Sequence, residues 1–213
     1  MSKIIGHYPA LGYGFLTPYY DKIIGSVLPR SFRSEFVARM DIPWDAKILD
    51  FGTGTGEMIL SLLDQYPLVE ITGLDTDPIA LKLARQKISK KNNVQVTQYD
   101  GGYLPFEDNH FDTVVSCLVF CNIGERGRFA DEIYRVLKPN GRFYLCDFGY
   151  ETKRWKRVIF RFLRSLSPLR ALLKDSEDVV SRVLNDSKFN DLEFFYSINI
   201  ITGTLNCCAT VKR

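Results

Sequence analysis

From Lys47 to Phe148 the chain alternates short apolar runs with amphipathic segments, and this rhythm constrains the fold more than any other feature. "KILDF" reads as a short buried strand and "GEMILSLLDQY" as a helix. "VEITGLD" is a second strand, and "DPIALKLARQKISKK" a helix with Asp77 as N-cap and Pro78 in its first turn. "VQVTQYD" is a third strand. "FDTVVSCLVF" is a fourth, nearly continuous in apolar residues, as strands buried on both faces are. "GRFADEIYRVL" is a helix, "KPNG" a helix stop and turn, and "RFYLCDF" a fifth strand. Such alternation builds right-handed βαβ units and an α/β, Rossmann-like doubly wound sheet with helices on both faces. Ligands of such sheets bind beyond the carboxyl ends of the strands, where the strand order reverses.

The first strand runs into "ILDFGTGTGE", with Gly52, Gly54 and Gly56 alternating with Thr53 and Thr55. A phosphate P-loop needs a lysine after its glycines, and none follows here. The dinucleotide fingerprint G-x-G-x-x-G wants glycine where this chain has Glu57, and a carboxylate there repels a pyrophosphate. Asp50 ends the strand before the loop, and a carboxylate beside exposed backbone suits a ligand carrying a cation. Asp75 ends the second strand, placed to accept two hydrogen bonds from a ribose diol. Asp100 ends the third, where an adenine would reach. Acids at three consecutive strand tips around a glycine loop fit an adenosine that bears an amino acid and no phosphate, which is S-adenosyl-L-methionine (SAM).

On these residues the chain resembles the class I SAM-dependent methyltransferases. "ILDFGTGTGE" is similar to their first motif, "GLDTD" to their ribose-binding acid, "YDGGYLPFEDNHFDTVVSCLVF" to the adenine contact and fourth strand, and "EIYRVLKPNGRFYLCDFG" to the helix and strand that follow. Together these segments span roughly residues 45–150. "PYYDKI" before them and "TGTLNCCATVKR" after them resemble the ubiquinone/menaquinone C-methyltransferase-like branch (methyltransferase type 11), whose members act on quinones, lipids and other small molecules. The resemblance implies seven strands, mostly parallel with an antiparallel last one. It also implies SAM as cofactor, S-adenosyl-L-homocysteine as product and a small-molecule acceptor. As cofactor-contacting positions it carries over Thr55, Asp75, Asp100 with Gly101, and Cys117; Asp50, Gly52, Thr53, Gly54, Gly56, Thr76 and Tyr20 are read as cofactor-binding beside them. Two departures stand out: Cys117 where that branch often has serine, and "FCNI" where many relatives carry histidines.

Those departures leave the general base unassigned, since Cys121 and Asn122 are poor substitutes. His7, in the aromatic segment "GHYPALGYGF", is the candidate, and His110 reads as a solvated loop residue. Tyr13, Tyr19 and Tyr20 are expected to line the pocket or touch the cofactor. Residues 1–45 read as a helical lid broken near Pro29, 46–150 as the SAM-binding core, 151–175 as a basic amphipathic cap, and 176–213 as a helix and an antiparallel strand pair, all in one domain. In 151–170, Arg154, Arg157, Arg161 and Arg164 recur at helical spacing beside Trp155, Ile159, Phe162 and Leu166. That pattern suits either peripheral contact with an anionic membrane or a cap over the pocket. A net charge of +3 is too mild to argue for nucleic acid. The five cysteines have no zinc-site spacing, which fits reduced thiols in the cytoplasm and no metal. There is no secretory h-region and no apolar stretch near the roughly 20 residues that span a bilayer. Two other functions compete with the small-molecule methyltransferase: a SAM-binding regulatory or scaffold protein without turnover, and an RNA methyltransferase.

Overall fold

A computed structural model describes residues 14–29, 31–149, 179–180, 183, 187–189, 193–200 and 203–213. His7, Tyr13 and the basic segment 151–170 lie outside the described residues. The expected helix after residue 175 is described only at Val179, Val180 and Val183, helical and fully buried, and at 187–189.

The described residues open with a 3-10 turn (Gly14–Tyr19), then α1 (Tyr20–Val27) and α2 (Phe32–Val37). The alternating core follows: β1 (Lys47–Phe51), α3 (Glu57–Gln65), β2 (Glu70–Asp75), α4 (Pro78–Ile88), β3 (Val94–Gln98), β4 (Phe111–Cys117), α5 (Arg126–Val136) and β5 (Leu137–Gly149). β6 (Glu193–Ile200) and β7 (Gly203–Val211) complete a seven-stranded sheet in the order β3-β2-β1-β4-β5-β7-β6. β1 to β5 pair in parallel; β7 runs antiparallel to both its neighbours. The order reverses between β1 and β4, so a crevice opens beyond their carboxyl ends.

Adjacent strand residues point to opposite faces, and each face builds its own core. Ile48, Val115, Tyr144 and Cys207 join Phe32, Phe36, Ile59 and Leu62 on one side. Leu49, Val114, Leu145 and Cys208 join Phe129, Ile133, Val180 and Val183 on the other. A fully buried side chain of this size contributes about 1.5–3 kcal/mol, so α2 and α3 are held chiefly through their apolar faces. Asp77 caps α4 as expected: its Oδ1 accepts the amides of Ile79 (2.8 Å) and Ala80 (3.3 Å), with Pro78 next in line.

Three sequence readings need correction. β3 stops at Gln98, so Asp100 lies two residues past the strand, in a turn where its Oδ1 accepts the Gly102 amide at 2.9 Å. The fourth strand ends at Cys117 rather than Phe120: Leu118 takes a left-handed φ of 61° and Phe120–Asn122 form a 3-10 turn, so apolarity there reflects burial, not extension. "KPNG" is a bulge inside β5, not a turn before it. Asn140 has φ 65°, and the register to β4 jumps between Phe111↔Leu137 and Thr113↔Arg142. The bulge is tied down by Lys212, whose carbonyl accepts the Asn140 amide and whose amide donates to Gly141. The antiparallel pair closes the sheet edge as expected, with β7 lying between β5 and β6.

Candidate functional site

A cavity of about 410 Å³ occupies the crevice, within the usual range for small-molecule sites. Its floor is the loop after β1. All three loop glycines adopt the left-handed conformation, with φ of 77°, 53° and 85° at Gly52, Gly54 and Gly56. At Gly52 space also forbids a side chain, since a Cβ would stand 2.3 Å from Val119. At Gly54 a Cβ would meet nothing within 4 Å, so there the requirement is backbone conformation. The amides of Gly52 and Thr53 both donate to the Leu74 carbonyl, at 2.8 and 3.1 Å, which pins the loop to the end of β2.

Two carboxylates face each other across this loop. Asp50 is 1% exposed and accepts the Thr53 hydroxyl at 2.6 Å. Burial pushes its pKa up to about 7; the Thr53 bond and the charge of Arg33 partly offset that, and Asp75 adds to it. Asp75 accepts the Gly54 amide at 2.7 Å and the Asp77 amide at 2.9 Å. Its pKa is also raised by burial, against those amide bonds. Each carboxylate is therefore held by neutral donors and lacks a bonded cation in the described structure.

Of the residues expected at the site, Asp50, Gly52, Thr53, Gly54, Thr55, Asp75, Thr76, Gly101, Cys117 and Tyr20 line the cavity. Gly56 and Asp100 do not: Gly56 is the N-cap of α3, backed by Ala84, and the Asp100 side chain is exposed in its turn. Glu57 lines the cavity but is neutralised by Lys87 at 2.6 Å, so it presents less repulsion than its sequence position implied. Tyr19 is exposed and outside the lining.

Sequence reasoning missed several lining residues. Arg33, on α2, brings a guanidinium to the wall, with 4.6 Å between its Cζ and the centre of the Phe32 ring. Among the described residues no carboxylate lies within ion-pair distance of it. Thr17 and Tyr20 form a roof from the N-terminal segment, and Tyr99 lines the side near Asp75. Burial raises the phenol pKa of both tyrosines, so both stay neutral donors. Nothing local marked Arg33 or Thr17: each reaches the cavity only through the packing of a remote segment.

At the other end, Leu118, Val119, Asn122 and Ile123 form an apolar wall with one amide group. Asp147, fully buried at the end of β5, accepts the Cys121 amide at 3.1 Å and so fixes this turn. Burial, opposed by the Phe148 and Cys121 amides, pushes its pKa up to about 6. Burial and Asp147 hold the Cys121 thiol well above its usual range, which unsuits it as a base or nucleophile. His110 sits at the opposite end of β4, exposed, its ring 6.1 Å from that of Phe106. Among the described residues no histidine lines the cavity.

The residues fit SAM. The left-handed glycines leave backbone open to a ligand, the buried Asp50 and half-buried Asp75 carboxylates suit a cation and a diol, and the Arg33 guanidinium suits a carboxylate.

The sequence profile of the methyltransferase domain matches residues 49–145. The ubiquinone/menaquinone biosynthesis C-methyltransferase UbiE of Geotalea daltonii is 31% identical over 166 residues, 74% of this chain and 68% of that protein. The demethylmenaquinone methyltransferase of Deinococcus radiodurans is 32% identical over 153 residues, 70% of this chain and 64% of its own length. Among solved structures, Bacillus subtilis YcgJ superposes with a TM-score of 0.68 at 16% identity, covering 85% of this chain and 97% of that one. Haemonchus contortus phosphoethanolamine N-methyltransferase 2, in complex with S-adenosyl-L-methionine, gives 0.67 at 18%, covering 86% and 43%. At these identities the two structures speak for the fold alone. With the curated relatives, the glycine loop and the acids at the strand tips, the chain belongs to the SAM-dependent methyltransferases.

Proposed function

We propose that this protein transfers a methyl group from SAM to a small, largely apolar acceptor, quinone-like or lipid-like. The observation that carries the reading is the cavity's division: a polar half built on Asp50, Asp75 and the glycine loop, and an apolar half walled by Leu118, Val119 and Ile123. Quinone chemistry in the names of the curated relatives supports that choice of acceptor.

In this reading Asp75 accepts both ribose hydroxyls, Asp50 takes the ammonium and Arg33 the carboxylate of the methionine part. Gly52, Gly54, Thr53 and Thr55 present backbone and hydroxyls to the same part. Thr76, Tyr99 and Gly101 flank the nucleoside, with Asp100 shaping the turn behind it. Cys117 and Tyr20 contact the cofactor where the polar half meets the acceptor side. SAM supplies an electrophilic methyl on a sulfonium, and the reaction is an in-line displacement. The protein's share is to align acceptor and methyl and to exclude water, which alone can contribute about 7–11 kcal/mol. The described lining holds no free base on the acceptor side, which favours an acceptor that is already nucleophilic, such as an electron-rich ring or a phenolate. His7 stays the candidate base should a proton need removal.

Methyl transfer from labelled SAM to a panel of hydroquinones, phenols and lipid amines tests the proposal. Turnover on an apolar phenol or hydroquinone supports it. SAM binding without turnover on any acceptor favours a regulatory or scaffold protein, and turnover on RNA alone favours the third reading.

The whole chain acts as one domain in this proposal, in the cytoplasm, with residues 151–170 as cap and membrane-facing surface. The basic amphipathic spacing supports the membrane contact. Failure to co-sediment with anionic vesicles at low salt overturns it. Among the described residues no helix is long and apolar enough to cross a membrane.

A further inference from the structure

Asp21 stands on the first turn of α1, outside the cavity lining, yet both its carboxylate oxygens are engaged across the site. Oδ1 accepts the hydroxyl of Thr55, in the glycine loop, at 2.6 Å. Oδ2 accepts Lys87 Nζ, from the last turn of α4, at 2.7 Å. The same ammonium holds Glu57, the first residue of α3, at 2.6 Å. Four side chains thus join the N-terminal segment, the loop and two helices in one cluster. A second anchor lies about one helical turn earlier. Thr17 donates to Asp77 Oδ2 at 3.0 Å, while the other oxygen of Asp77 caps α4. Tyr20 lies between the anchors and, with Thr17, roofs the cavity.

The fastening is needed because α1 is short. Eight residues are too few for an independent helix in water, so its place depends on what it packs against and is bonded to. Its fully buried apolar contact is made by Ile24, with Leu28 just beyond its end, while Tyr20 and Ile23 pack partly buried against the same core. The Asp21 cluster adds a fastening that water can compete for: the side chains of Lys87, Asp21 and Glu57 are 27%, 36% and 37% exposed. The Thr55 hydroxyl has one proton, and Asp21 takes it, which fixes the orientation of that side chain at the cavity wall.

We propose that Asp21 is a positioning residue for cofactor binding: it latches the roof segment to the glycine loop, and breaking that latch sets the rate of cofactor exchange. The proposal rests on the reading of the cavity as the SAM site. It assigns Glu57 a role as well, since its carboxylate holds Lys87 in place for Asp21.

The test is the dissociation rate of radiolabelled SAM, chased with excess unlabelled SAM, in wild type and in Asp21→Ala, Asp21→Asn and Lys87→Met. Asp21→Ala is expected to release SAM about ten-fold faster. Asp21→Asn keeps an acceptor for Thr55 but not the charge for Lys87, and is expected to fall between. Wild-type dissociation is expected to speed up from 0.05 to 0.5 M salt, as screening weakens the Lys87 pairs, and Asp21→Ala to lose that salt dependence. A merely structural role would lower the melting temperature without moving the salt response. Equal dissociation rates in wild type and Lys87→Met, with SAM bound by both, overturn the latch even if Asp21→Ala fails to fold. Absence of SAM binding to wild type overturns instead the reading of the cavity.

Discussion

Asp50 makes SAM affinity depend on pH in a way that can be worked from its surroundings. In the ligand-free protein its pKa is pushed up to about 7, against a usual value of 3.8. A raised carboxyl favours the folded state while protonated, so its contribution is lost as pH rises from about 4 to about 7. At 1.36 kcal/mol per unit, the full cost of holding it ionised is about 4 kcal/mol. A bound ammonium removes that cost, so binding selects the ionised form. A group of pKa about 7 is about 3% ionised at pH 5.5 and about half ionised at pH 7. If the bound form is fully ionised, SAM binds about fifteen-fold more weakly at pH 5.5, and the ligand's own amine stays protonated over that range. Titration calorimetry in buffers of different ionisation enthalpy would also register the proton released near pH 6. Asp50→Asn keeps an acceptor for Thr53 and imitates the protonated acid, so its affinity is expected to be weak and to lose most of the pH slope. Asp75, also raised, leaves a residual slope in that variant. A wild-type affinity flat between pH 5.5 and 7, or an Asp50→Asn slope as steep as wild type, would refute the argument.

Three further outcomes follow from the site. Asp75→Ala removes the acceptor of two hydroxyls and is expected to weaken SAM at least ten-fold, since bonds to charged groups contribute about 1.5–3 kcal/mol each; unchanged calorimetric affinity would mean the ribose lies elsewhere. Gly52→Ala combines a φ of 77° with a clash on Val119, and denaturant unfolding is expected to show a loss of about 2–4 kcal/mol. Cys117 faces the cavity, whereas Cys146 and Cys207 are buried with their sulfurs 3.1 Å apart. Mass spectrometry after brief iodoacetamide treatment is therefore expected to find Cys117 labelled ahead of those two, and SAM to slow that labelling; equal labelling with and without SAM would place the cofactor away from β4.

What could be read from the sequence was what is encoded locally. Asp50 and Asp75 sit at strand tips because the strands stop where the apolar runs stop, and Asp77 caps its helix through bonds to its near neighbours. The alternating glycines and threonines marked the ligand loop by residue type alone. Errors arose where the chain's course answers to distant contacts. Leu118–Phe120 look like strand because they are buried, yet they turn to pass over Gly52. Asp100 looked like a third strand tip, but β3 gives out at Gln98 and the acid caps a turn instead. Arg33, Thr17 and Asp21 act on a loop far from them in sequence, and no spacing rule connects them. Nor does local patterning say which neighbour a late hairpin will choose.

That choice has a consequence for how the protein is made. β7 pairs with β5 on one side and β6 on the other, so β6 leaves the ribosome before the strand that joins it to the sheet exists. Until β7 arrives, β5 keeps an open edge whose unpaired amides and carbonyls are free to recruit any extended segment nearby. The site-bearing half, β1 to β4, is complete by then, because its partners are all earlier in the chain. Nascent chains stalled between residues 150 and 200 are thus the stage at which this fold is most exposed to wrong pairing.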